Sequence, residues 1–553
     1  MAGGQQILDE RCVRRKRVRN VFVPTALVLM FVLDYTSIRH KSAIYDEGDH
    51  FLYGYAVLSG RSDRNFDSKM PVSALNALPF RLSMELAPAW LRSPLAKRNT
   101  ARAVTILFTA LMGLVIYAWS SSLYGEWAAR LSLALYTLSP TIHGHARWIT
   151  TDAFVAGTVA LALFLYWRTL TGTGRRRLWF GIAASLALGA CQLTKASAVW
   201  LYPIFGIVLL LHWGPEAIRR WRHGERRGLA RELGRGAGWS LAFVGSSLMV
   251  VNAGFLFNGT GTPLSDYSFR SRLFQQLQSD RNPLRTLPLP LPRPFVEGLD
   301  WIKRNEVTGR GRGAAYLLGQ TRRGGVRFDD YYLVLFLFKT PLAVHLLIVA
   351  AVAHRLRHRE RYAFWRNEVF LVVPILFYFV YFNYFCHAQI GIRLLLVIYP
   401  LLHVFCGGLL MDLSTLRIQS RIAVAALVAY LAVSSLSYYP HYLSYTNELI
   451  GRATAYRLFA DSNLDWGQNH WYLRRYATAH AGLQIDPERP VAGRVAISIN
   501  RLTGVADGCE WCPWLQRNFE PVDHVAYSYL VYDIPLDAIR ESAHSGSAAK
   551  MPE

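Results

Sequence analysis

Tyr45-Asp46-Glu47-Gly48-Asp49-His50 puts three carboxylates and an imidazole within five consecutive positions. The run follows the first long apolar stretch, at about 20–38. Hydrocarbon excludes charge, so acids this near a membrane span ask for a role. Adjacent carboxylates repel, and a purely structural loop gains little from them. A carboxylate at this depth can take a proton from an incoming hydroxyl. Cations are scattered further along the chain, among them Lys69, Arg147, Lys195 and Arg393. Lys and Arg bind a lipid phosphate, and Arg does so with two parallel hydrogen bonds. Further polar candidates are Asp152, Asp461 and Asp465. Acids facing cations at one membrane surface suit the transfer of a group from a lipid phosphate to an alcohol.

Most of these residues also have plainer roles open to them. Lys195 can snorkel to headgroups, and Arg393 can anchor a helix end. Asp152 can cap the helix that begins at Ala153. His143 and His145 read as satisfied interfacial histidines rather than metal ligands. Asp461 and Asp465 lie in Asp461-Ser462-Asn463-Leu464-Asp465-Trp466-Gly467-Gln468, whose composition suits a turn and a cap.

The elements that must position these residues are membrane spans. A span needs about 20 mostly apolar residues. Candidates lie at about 20–38, 102–120, 128–141, 152–170, 178–193, 196–213, 239–257, 332–353, 368–386, 394–411 and 422–439. The expected fold is a polytopic α-helical membrane protein of about 11 transmembrane helices. Arginine clusters recur on alternate connections: the N-terminus, then 171–178, 214–238, 354–367 and Arg417 with Arg421. By the positive-inside rule these face the cytoplasm. Asp46, Glu47, His50, Arg147, Asp152, Lys195, Arg393, Asp461 and Asp465 then share the opposite face.

The expected organisation is a cytoplasmic basic N-terminus at 1–20 and a transmembrane domain at 21–440. The latter carries outer loops at 39–101 and 258–331. A small α/β extracytoplasmic domain at 441–540 and a disordered tail at 541–553 follow. In the C-terminal domain, Val495–Ile499 and Val525–Val531 alternate in the manner of strands. The proline-rich stretch Pro288, Pro290, Pro292, Pro294 cannot be regular helix.

The bulk numbers agree with this picture. Of 553 residues 52% are hydrophobic, yet the mean hydropathy is only +0.16, which leaves room for large polar loops. The net charge of +24 sits between apolar runs. Membrane lipids, not nucleic acid, are therefore the expected neutralising partner. Arg14-Arg15-Lys16-Arg17 ahead of an apolar run looks like a signal peptide, but no small-residue cleavage site follows, so it reads as an uncleaved first span. Cys12, Cys191, Cys386 and Cys406 are isolated beside apolar segments and read as inert. Cys509-Glu510-Trp511-Cys512 is too few ligands for zinc, and outside the cytoplasm it suits a disulfide.

Several short sequences carry a likeness to a known family. They are Tyr45-Asp46-Glu47 with His50 and Tyr53-Gly54-Tyr55, and Ser139-Pro140 with His145-Ala146-Arg147 and Thr151-Asp152. Gly189 to Lys195 with Ser197, Phe338-Lys339-Thr340-Pro341, and Gly391-Ile392-Arg393 with Tyr399-Pro400 continue it. Tyr442 to Glu448 and Asp461 to Gln468 complete it. In this order the chain resembles the GT-C polyprenyl-phosphate-dependent glycosyltransferases, near the protein O-mannosyltransferases and lipid A aminoarabinose transferases. The resemblance covers most of 20–475.

It implies a hexosyl- or pentosyltransferase whose donor is a polyprenyl-phosphate-linked sugar. The acceptor is a hydroxyl on a protein, glycan or lipid, and the reaction inverts the anomeric centre. It implies Asp46 as the catalytic base, with Glu47 beside it contacting acceptor or metal. Arg393, Lys195 and Lys69 are implied for the donor phosphate. His50, Arg147, Asp152, Asp461 and Asp465 are implied for substrate binding. Some members bind a divalent ion and others need none, so the metal is left open. The chain departs from the family at Lys69-Met70-Pro71-Val72, where a His-Pro-Pro-like run is usual. The expected location is a bacterial inner (plasma) membrane with the active site on the periplasmic side. A transporter or flippase of a lipid-linked sugar is the rival reading. It would place ionisable groups near mid-membrane in paired halves, and no inverted repeat is visible.

Overall fold

A computed structural model describes residues 21–61, 63, 69–86, 94–308, 314–506 and 508–544. The basic segment 1–20, Cys12 and the tail from 545 lie outside the described residues. The final helix, Leu536–His544, reaches into the segment expected as tail.

The protein is mostly helical, and it is a multi-pass membrane protein. Among the described residues six helices are long and apolar enough to cross a membrane: Leu95–Tyr124, Asp152–Thr171, Ala196–Arg222, Arg226–Gly254, Ile392–Leu410 and Ile418–Leu436. Shorter apolar helices span Val21–Ser37 and Val369–Phe385. Glu126–Thr137 and Gly174–Gln192 coincide with the two shortest expected stretches. Ile392–Leu410 runs through the centre and is almost wholly buried. Asp152–Thr171 packs between it, Gly174–Gln192 and Pro94–Tyr124.

The stretch expected as one span at 332–353 is two helices, Tyr331–Lys339 and Leu342–Arg357, bent by 105°. Pro341 is the cause. It lacks an N–H, and it drives Thr340 into extended backbone at φ −100°, ψ 134°. Hydropathy alone cannot see that break. The arginine-rich connection expected at 214–238 is likewise not a loop. Leu201–Arg222 and Arg226–Gly254 carry those arginines as helical extensions, joined across Gly224 at φ 80°. Counting apolar residues stops at the membrane edge, whereas backbone hydrogen bonding continues beyond it.

Outside the helices a hairpin pairs β1 (Ala315–Leu317) with β2 (Gln320–Arg322). The C-terminal part forms a four-stranded sheet from β3 (Gln484–Ile485), β4 (Gly493–Ser498), β5 (Asp523–Val525) and β6 (Tyr529–Ile534). The spatial order is β3-β4-β6-β5, with β3 parallel to β4 and the other pairs antiparallel. The run expected as one strand at 525–531 is broken by a turn between β5 and β6. Ala526 and Tyr527 take φ of 52° and 61°, so β5 folds back into β6. Ser528, at the head of β6, receives hydrogen bonds from Asn469 Nδ2 (2.8 Å) and Gln468 Nε2 (3.3 Å). These bonds seat the 461–469 loop between the sheet and the helical bundle. Cys509 and Cys512 form a disulfide.

Candidate functional site

Asp46 is the N-cap residue of Glu47–Leu58, but its side chain caps nothing. Its carboxylate is used elsewhere. Arg393 Nη1 donates to Asp46 Oδ2 at 2.8 Å and lies 4.0 Å from Asp152 Oδ2. Lys195 Nζ donates to the other oxygen of Asp152, Oδ1. A continuous chain of alternating charge results: Asp46, Arg393, Asp152, Lys195. Four elements distant in sequence supply it. Asp152 is 2% exposed and Asp46 is 29% exposed, so the chain runs from the interior to an accessible acid.

Each member has a local reason for its place. Asp152 occupies the first turn of Asp152–Thr171, where the helix dipole favours an anion. Lys195 occupies the tight connection between Gly174–Gln192 and the turn Ala196–Trp200. Arg393 follows Gly391, whose φ of 94° and crowding by Ser462 and Asn463 exclude any side chain. Gly391 N donates to Tyr331 Oη (2.9 Å) and Ile392 N to Asn463 Oδ1 (3.0 Å). Arg393 is therefore built on backbone locked to the 461–463 turn. Its guanidinium stacks on Trp466 at 4.3 Å from the ring centroid.

Glu47 does not join this chain. Its carboxylate takes Arg102 Nε (2.7 Å), Arg102 Nη2 (2.6 Å), Ile44 N (3.1 Å) and Ile149 N (3.1 Å) at 2% exposure. These four donors hold the loop through Glu47. Arg147 is also buried, donating to Ser37 Oγ (2.6 Å) and Pro440 O (3.0 Å) between the Trp148 and Tyr442 rings. Its charge ties the first helix to the chain after the last span and is closed to solvent. Burial brings the Arg147 guanidinium down to about 10. Lys69 pairs with Asp49 at 3.1 Å. His50 is buried with Nδ1 at 3.3 Å from Ser73 Oγ.

Asp461 lies close enough to Arg393 and Asp46 to feel both charges, and burial raises its pKa. Asp465 is pushed up to about 6 by burial, while Gly467 N donates to its Oδ1 at 3.0 Å. His143 is satisfied, as expected, by Asp34 Oδ1 (2.9 Å) and Thr137 O (2.8 Å). Among the described residues no group of three or more His, Cys, Asp or Glu side chains is arranged to hold a metal ion.

Three contributors escape a reading of the sequence. Arg102 carries only the signal of a charge in an apolar helix. Trp466 has no signal beyond its place in the 461–468 motif. Lys339 donates to Leu443 O (2.8 Å) and Asn463 O (2.5 Å), which requires two loops that only the fold brings together.

Residues 95–223 match the dolichyl-phosphate-mannose-protein mannosyltransferase family. The matched segment supplies Asp152 and Lys195 to the charged chain, while Asp46 and Arg393 lie outside it. The sequence-based likeness to polyprenyl-phosphate-dependent glycosyltransferases agrees with this match, and so does the enzyme class, glycosyltransferase. No curated protein matches the chain.

Solved structures are similar at a distance. ArnT from Cupriavidus metallidurans bound to undecaprenyl phosphate is 14% identical, covering 92% of this chain and 97% of that one, with a TM-score of 0.46. The oligosaccharyltransferase AglB from Archaeoglobus fulgidus, in complex with an inhibitory peptide and a dolichol-phosphate, is 12% identical. It covers 84% of this chain and 60% of that one, with a TM-score of 0.43.

Proposed function

We propose that the protein transfers a sugar from a polyprenyl-phosphate donor to an acceptor hydroxyl, with inversion, on the extracytoplasmic face of a bacterial inner membrane. The observation that carries this reading is the Asp46–Arg393–Asp152–Lys195 chain at one end of the helical bundle. The acceptor oxygen attacks the anomeric carbon as the bond from that carbon to the phosphate oxygen breaks. Asp46 takes the hydroxyl proton. The electron pair of the broken bond leaves on the polyprenyl phosphate.

Negative charge grows on that phosphate, so fixed cations aimed at it stabilise the transition state. Arg393 and Lys195 fill that role. Without donor they are neutralised by Asp46 and Asp152, which keeps two charges satisfied in a poorly solvated place. A guanidinium has five N–H donors, so Arg393 can reach a phosphate while still orienting Asp46. Asp152 is held by Lys195 and in turn positions both cations. Glu47, through Arg102, fixes the start of the helix that presents Asp46. Lys69, Asp461 and Asp465 line the approach of substrate groups. A transporter would need no carboxylate poised beside an anion-binding arginine.

The test is turnover of a panel of polyprenyl-phosphate sugars by the purified protein, read as release of free polyprenyl phosphate. Asp46→Asn removes the base at constant volume and should lower transfer by about 10²–10⁴-fold while donor binding persists. Lys195→Met should cost about 10²–10³-fold in kcat. Undiminished turnover by Asp46→Asn would refute the assignment.

A further inference from the structure

The segment after the first helix runs beside the 466–471 segment. Ser42 N donates to Gln468 O (3.0 Å), Tyr45 N to Trp466 O (3.0 Å) and Trp471 N to Ser42 Oγ (2.9 Å). Asp46 and Trp466 form one end of this pairing, and that end belongs to the charged chain. The other end opens into a cavity of about 240 Å³ lined by His40, Trp471, Tyr472, Arg474 and Arg475. Among the described residues none of the lining groups is acidic. Two arginines, a histidine and two aromatic residues line it.

Cations also back the rings. Arg98 lies 5.7 Å from the Trp471 ring centroid, and Lys41 Nζ lies 4.8 Å from that of Tyr472. Trp471 is still 39% exposed, which leaves its ring open to a ligand. The volume falls below the roughly 300 Å³ at which drug-sized pockets begin, so it suits one ring with its substituents. Aromatic faces pack on the apolar face of a sugar, and paired arginines take a carboxylate or phosphate with two hydrogen bonds each.

We propose that this cavity binds an anionic saccharide, a sugar ring bearing a carboxylate or phosphate, as the anchoring end of the acceptor. This rests on the proposed transfer at Asp46, because an acceptor must reach from the cavity to that carboxylate. His40 and Asp46 are six positions apart, at most roughly 20 Å of extended chain. A short oligosaccharide spans that distance. The reactive hydroxyl then sits at Asp46 while the charged ring is held between Trp471 and Arg475.

The test uses the full-length protein in phosphatidylcholine nanodiscs, with trigalacturonic acid as anionic probe and maltotriose as its neutral counterpart, both followed by calorimetry. Trigalacturonic acid should bind at least tenfold more tightly than maltotriose. The exposed double substitution Arg474→Ala/Arg475→Ala should weaken it at least tenfold. The same variant should keep its thermal midpoint and its release of polyprenyl phosphate from donor in water. Equal binding of maltotriose, or unchanged binding by the double variant, overturns the proposal. So does arginine-dependent enrichment of phosphatidylglycerol in mixed nanodiscs without saccharide binding, which marks a bilayer headgroup instead. Loss of donor cleavage in the double variant would merge the cavity with the transfer site and overturn it as a separate anchor. If the wild-type protein cleaves no donor while arginine-dependent binding holds, the transfer reading falls and the anionic site stands.

Discussion

At the scale of residues, the site depends on how one arginine is held. Arg393 touches Asp46 with Nη1, its own Ile390 carbonyl with Nε, and the face of Trp466 with its plane. A stacked guanidinium keeps its donors pointing in one plane, whereas an unstacked one rotates. A cation–π contact is worth about 0.5–2 kcal/mol, the more so when desolvated. Trp466→Leu should therefore cost roughly 2–30-fold in transfer rate. The loss should appear in kcat more than in the KM for donor, and Trp466→Phe should recover most of it. Trp466 also packs with Ile44, Trp148 and Leu443. A merely structural role would lower the thermal midpoint equally for both substitutions and leave the surviving enzyme's kcat unchanged. Glu47 illustrates the opposite case. An adjacent acid that looks equally reactive in sequence is closed by four donors, so proximity in sequence does not equal shared chemistry.

At the scale of elements, breaks in helices do the positioning. Pro341 ends Tyr331–Lys339 inside what reads as one span. The break leaves Lys339 at a helix C-terminus, where a cation is favoured. From there its ammonium bonds the carbonyls of Leu443 and Asn463, one before and one within the loop that carries Trp466 and Asp465. Charged hydrogen bonds of this kind contribute about 1.5–3 kcal/mol each. Lys339→Met removes both while keeping the aliphatic stem. Hydrogen–deuterium exchange of residues 443–469 should rise several-fold in that variant, with little change in helix Asp152–Thr171. Unchanged exchange across 443–469 would show that the loop is held by the sheet alone. Asn469 and Gln468, bonded to Ser528 at the head of β6, are the contacts that would then carry it.

At the scale of the whole molecule, charge asymmetry sets the side on which the chemistry takes place. Arginines crowd the facing ends of Leu201–Arg222 and Arg226–Gly254 on either side of Gly224, whereas Lys195 and Arg393 at the ends that carry Asp46 are each paired with an acid. The positive-inside rule turns that asymmetry into an orientation. A phosphatase reporter joined after residue 475 should be active outside the cytoplasm, and one joined after Arg222 should be inactive. Reversed activities would move the site to the cytoplasmic face and change the donor leaflet with it.

The sequence alone determined that the chain is a helical membrane protein, because solvation of apolar runs depends only on composition and length. It also determined the likeness to sugar transferases, which rests on short motifs in a fixed order. Asp46, Asp152, Lys195 and Arg393 were legible as candidates because charge beside hydrocarbon is expensive wherever it occurs. Only the tertiary structure decided which of them meet. Arg393 and Asp46 are separated by 347 positions, and no local rule links their geometry. The same reason hid the commitment of Glu47 to Arg102, the closure of Arg147 and the break at Pro341 as a platform for Lys339. Desolvation makes a buried charge find a partner, but the partner is chosen by packing, and packing belongs to the folded chain as a whole.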